Sequence, residues 1–172
     1  MNTDLIRTIE VAFAGTPRGR VGIREASARD SRLDPGELYE DRVRFEQALR
    51  DDARESDWTQ IPGDVIAADP AVFSHLDDAG FAFVLPAVMR WALAIDFDRE
   101  QDPWDVVGSL AQHLMPPWRP ADTPAVLVER WKLSRAQVSA VAGWLAERHA
   151  HPRCAAGPFE LERGAQYRRL LA

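Results

Sequence analysis

Apolar residues recur at helical spacing along much of the chain, and the strongest run covers residues 78–95. There Phe81, Val84, Leu85, Val88, Ala92 and Ile95 share one broad face. Phe83, Met89, Trp91 and Leu93 extend apolar character around most of the remainder, with Arg90 the lone charge between them. A helix apolar on most sides belongs at the buried centre of a domain. Pro86 falls inside the run and leaves two forms open. One is a single helix kinked at the proline; the other is a short turn followed by a new helix with Pro86 in its first turn.

Narrower stripes predict the flanking elements. Leu5, Ile9 and Ala12 predict a helix over residues 3–14, stopped by Gly15 and Pro17. Leu38, Phe45 and Leu49 predict a charged helix over residues 37–54, with Glu40–Arg44 and Glu46–Arg50 pairs on its wet side. Asp57-Trp58 and Ile61-Pro62 lead into a short helical piece that ends before Pro70. Asp102-Pro103 opens a helix carrying Trp104, Val107, Ala111 and Leu114, which Pro116-Pro117 ends. Ser134 and Gln137 match a capping box ahead of Val138, Val141, Ala142 and Leu145. A last helix is expected over residues 159–171. Residues 15–36 hold four glycines, two prolines and five arginines, and read as a long flexible loop. Only residues 125–128 have the composition of a strand. The pattern as a whole predicts an all-α fold: one domain over residues 1–172, an irregular bundle of about five to seven helices around residues 78–95.

Composition is consistent with that picture. Of 172 residues 46% are hydrophobic and 28% charged, enough apolar material for a core and too much for wholesale disorder. Twenty-seven acids against 21 basic residues give a net charge of −6, which disfavours nucleic acid as a partner. Lys132 is the single lysine; the arginine bias points to a GC-rich bacterial gene. Cys154 is the single cysteine, so no intrachain disulfide forms. No apolar run reaches bilayer-spanning length and the N-terminus lacks a signal-peptide pattern, so a cytoplasmic protein without membrane contact is expected.

Candidate chemistry is sparse. His149, His151 and Cys154 resemble part of a zinc site but lack a fourth ligand, and a basic helix end explains them as well. The run Asp96, Asp98, Glu100, Asp102 begins like a calcium loop, yet Gln101 and Val107 replace the required glycine and glutamate. No metal and no cofactor is therefore expected. His75 and His113 sit in no catalytic motif, and Asp77-Asp78 suit a helix start. Arg18, Arg20, Arg24, Arg29 and Arg32 are candidates for gripping an anion or an acidic partner, or simply a solvated loop. Residues 34–57 hold nine acids and four arginines, so Glu40, Asp41, Asp51 and Asp52 are a candidate accessible surface for a basic partner. Trp58, Arg90 and Trp91 are candidates for lining a pocket.

Asp57-Trp58, Gly80-Phe81, the Phe83-Val84-Leu85-Pro86-Ala87 segment, and Leu133-Ser134 with Gln137 and Leu145 resemble a family of uncharacterised bacterial proteins, a domain of unknown function. The resemblance covers about residues 3–148. It implies a helical fold and carries no activity, cofactor or catalytic residue. Two function classes follow: a non-enzymatic protein–protein interaction module, such as a toxin-neutralising immunity protein, or a small-molecule binder or enzyme with a pocket lined by tryptophan and arginine.

Overall fold

In a computed structural model, residues 2–31, 39–95, 104–114, 128 and 130–150 are described. The regular elements among them are all helical. The chain divides into two compact units, residues 15–110 and residues 1–14 with 111–172.

The first unit carries α2 (Ile23–Asp30), α3 (Tyr39–Arg54), α4 (Gly63–Ala67) and α5 (Asp78–Ala94), with 3-10 turns at Trp58–Gln60 and Val72–Ser74. α5 runs through Pro86 as one uninterrupted helix, and ten of its residues are buried, Pro86 and Leu85 among them. Asp77 starts it: its carboxylate accepts from the Gly80 amide at 2.8 Å, the work expected of an acid at a helix start. α5 packs against α4 and the Trp58–Gln60 turn, and α2 packs against α3 and the Val72–Ser74 turn. Phe73 meets Phe81 edge to face at 6.2 Å, joining that turn to α5.

The expectation of a flexible loop over residues 15–36 is overturned in part, because α2 lies within it. This helix buries Ile23, Glu25, Ala26 and Ala28 and has no broad apolar stripe to announce it. Residues 32–38, including Arg32, lie outside the described residues.

The second unit pairs α1 (Thr3–Ala12) with α7 (Arg135–Ala150). Asn2 caps α1 by accepting from the Leu5 amide at 3.1 Å and donates to Glu147 on α7 at 3.1 Å. Gly143 lets the helices approach: a Cβ there would come within 3.2 Å of the Leu5 side chain. The capping box at α7 forms as expected. Ser134 Oγ accepts from the Gln137 amide at 3.3 Å, and Gln137 Oε1 accepts from the Ser134 amide at 2.8 Å. Just before it, Lys132 holds φ at +55°, the left-handed region that side chains disfavour.

α6 (Trp104–Leu114) contains the division between the units, and Val107, Ala111 and Leu114 of its predicted stripe are buried. The helix expected over 159–171 and residues 125–127 of the expected strand lie outside the described residues.

Candidate functional site

Ionisable chemistry in the first unit concentrates where α2 meets α3. α2 begins at Gly22, which has no side chain with which to cap it. The cap comes instead from Asp52 on α3. Its Oδ1 accepts from the Arg24 amide at 3.2 Å, and its Oδ2 accepts from the Glu25 amide at 2.9 Å. Unsatisfied amides at a helix start favour a negative charge, and here the charge arrives from another helix. The same carboxylate accepts from the Arg24 guanidinium at 3.2 Å, and Glu55 accepts from it at 2.7 Å. Glu25 in turn pairs with Arg29 one turn along α2.

Asp52, Glu55 and Glu25 are all buried, and Asp52 is only 1% exposed. Burial pushes the Glu55 carboxyl above its ordinary value; Arg24 pulls the other way without cancelling that effect. The Arg24 guanidinium is raised despite its own desolvation, because Glu55 and Asp52 both stabilise its charge.

Residues 19–22 are held from a second side. Asp77 accepts from the Arg20 amide at 3.1 Å and the Val21 amide at 3.4 Å while it caps α5. Gly19 and Gly80 meet so closely that a Cβ on Gly19 would lie 2.0 Å from the Gly80 nitrogen. Two carboxylates from two other helices thus fix the backbone between Gly19 and Glu25.

This geometry revises several expectations. Asp52 is not part of an accessible acidic surface, because its carboxylate is spent on two amides and a guanidinium. Glu40 is exposed, Asp41 half-buried, and Asp51 pairs with Arg54 at 3.1 Å and Gln47 at 2.9 Å. On α3, Glu40, Asp41, Glu46 and Asp51 face as many arginines, at 42, 44, 50 and 54, so without Asp52 the helix is charge-balanced. Arg24 and Arg29 are not open anion grips, since Asp52, Glu55 and Glu25 already hold them. Arg20 is exposed and Arg18 half-buried; Arg18 also lowers the Glu55 carboxyl slightly.

The structure brings Trp58 and Arg90 together as a packed contact. Trp58 is buried, the Arg90 guanidinium lies 5.3 Å from its ring centroid, and Arg90 donates to the Thr59 carbonyl at 3.1 Å. Trp91 lies against Gly63, where a Cβ would reach 3.0 Å from its ring. Asp57 caps the turn by accepting from the Thr59 amide at 2.8 Å, a bond that lowers its carboxyl below the ordinary range. His75 meets Asp30 at 3.0 Å. Among the described residues no group of three or more metal-ligating side chains converges. The side chains of His149, His151 and Cys154, and the run from Asp96 to Asp102, lie outside them.

A cleft of about 280 Å3 opens beside this network, between α2 and α4. A second groove, of about 490 Å3, runs between α1 and α7 and is edged by Val11, which is 72% exposed. No helix among the described residues is long and apolar enough to cross a membrane.

These features define an all-helical protein whose buried ionisable groups build its own framework. The chain belongs to DUF6714, a family of unknown function whose model matches residues 1–167. No curated protein and no solved structure is significantly similar to it.

Proposed function

We propose that this protein is a non-enzymatic interaction module of the bacterial cytoplasm that docks a protein partner along α3. The observation that supports this is how exposed α3 is among the described residues. Among its residues whose side chains are described, Asp52 alone is buried. Val43 and Leu49 stand 44% and 38% exposed on a sixteen-residue helix. Between them runs a lattice of ion pairs, Arg42–Glu46 at 3.0 Å and Arg50–Glu46 at 3.5 Å. Exposed apolar side chains set among fixed charges suit a protein interface, where the apolar groups supply affinity and the charges supply register.

The net charge of −6 favours a basic partner at long range, although α3 itself is balanced. Small size and acidity fit the toxin-neutralising class, in which an acidic protein covers a basic toxin. Affinity capture from the native host tests the reading when the wild type is compared with a Val43→Asp, Leu49→Asp double variant. A basic protein retained by the wild type and lost by the variant is the expected outcome. The same protein retained equally by both would remove α3 from the interface.

A further inference from the structure

The cleft between α2 and α4 looks at first like an anion site, since Arg24 lines it and α2 begins there. Both attractions are already satisfied from within. Asp52 occupies the Arg24 and Glu25 amides, and Asp52 with Glu55 occupies the guanidinium. Two carboxylates on the other wall remain. Asp64 is exposed, and Asp69 accepts from the Ala71 amide at 2.9 Å through Oδ1, leaving Oδ2 for another donor. The floor is apolar: Ile23 and Val72 are 3% and 1% exposed, with Val65 beside them.

We infer that the cleft binds a small organic cation, a short aliphatic chain ending in an ammonium or guanidinium group. The chain lies on Ile23, Val65 and Val72, and the charged end meets Asp64 and Asp69. An apolar floor with a few polar groups at one side selects a ligand of that amphipathic kind. The internal pairing of Arg24 sets the selectivity, because a guanidinium already shared by two carboxylates does not repel an incoming cation as a free one would. This site is separate from the α3 face and does not rest on the docking proposed there.

The test is a methyl NMR titration of the full chain with agmatine, with butyrate as the anionic control. Agmatine is expected to shift the Ile23, Val65 and Val72 methyl signals saturably, and butyrate to leave them in place. Asp64→Asn, at an exposed position, should weaken agmatine at least tenfold without changing the melting temperature. Asp69→Asn should weaken it too; should that variant fold poorly for loss of its bond to Ala71, Asp64→Asn alone decides. A Gly-Lys-Gly peptide in a parallel titration distinguishes a free amine from a protein lysine, and saturable binding of either supports the cation site. The inference is overturned by an absence of saturable shifts with both, by an equal response to butyrate, or by undiminished affinity in Asp64→Asn.

Discussion

The carboxylate of Asp52 stands where a side chain on Gly22 would stand. A Cβ on Gly22 would come within 2.3 Å of both Asp52 Cγ and Oδ2. The missing side chain at the start of α2 and the buried acid on α3 are therefore two halves of one arrangement. Either half alone is unfavourable: an uncapped helix start, or a carboxylate without water.

Asp52→Ala should accordingly destabilise the protein by about 3–5 kcal/mol, the cost of removing one member of a buried charged group. The neighbouring Asp51→Ala should cost less than about 1 kcal/mol, because its partner Arg54 is exposed and Asp51 itself is only half-buried. Gly22→Ala should resemble Asp52→Ala in direction, since the methyl group displaces the cap. Urea denaturation of the three variants separates these expectations.

Leu85→Ala should cost about 2–5 kcal/mol. Leu85 is fully buried near the middle of α5, on the face that the apolar pattern marks out. Chemical denaturation again supplies the number. A loss below about 1 kcal/mol, typical of a surface site, would contradict its place in the core.

Two acids should give opposite pH signatures. The folded-state carboxyl of Glu55 is raised, so its contribution is fully present below the ordinary glutamate range and is lost as pH rises through the raised value. The Asp57 carboxyl is lowered, so its contribution is present above the ordinary aspartate range and is lost as pH falls through the lowered value. Thermal melts from pH 3 to pH 7, a window on the order of the two ordinary ranges and above, should show this. The stability of wild type relative to Glu55→Gln should decline toward neutral pH, whereas wild type relative to Asp57→Ala should gain in the same direction. Parallel curves for the two variants would show that the two environments do not differ in this way.

Lys132→Gly should stabilise the protein by about 0.5–1 kcal/mol. Its φ of +55° costs a side-chain-bearing residue on the order of 1–2 kcal/mol, partly offset by the greater freedom of glycine in the unfolded chain. By contrast Gly80→Ala should destabilise severely, because its Cβ would lie 2.4 Å from the Val21 carbonyl oxygen, a backbone atom that cannot swing aside. Differential scanning calorimetry on both variants checks the pair of signs.

What the sequence made legible was local. The capping box at Ser134 and Gln137 spans four residues, and the apolar face of α5 needs only its own eighteen-residue window, so both are visible in the sequence. α2 was hidden for the converse reason. Its stretch is rich in arginine and glycine, and what stabilises its start is Asp52, which sits 28 residues from Arg24 in sequence. The burial of Asp52 is hidden by the same logic, since an acid on a highly charged helix looks solvated until the helix it caps is in place. Trp58, Arg90 and Trp91 are candidates for lining a pocket, and the structure packs Arg90 against Trp58. Whether such residues enclose space or fill it depends on packing, and here the guanidinium covers the ring.

Because the Arg24 and Glu25 amides donate to a carboxylate on α3, their exchange with solvent deuterium reports on α3 more than on α2. These two amides lie in the first turn, where a helix gives no protection of its own. They should exchange at the rate at which Asp52 withdraws, in step with the Arg20 and Val21 amides only if Asp77 lets go in the same opening. Two pairs of neighbouring amides thus read out, residue by residue, whether the two carboxylates that grip this segment release it together or one at a time.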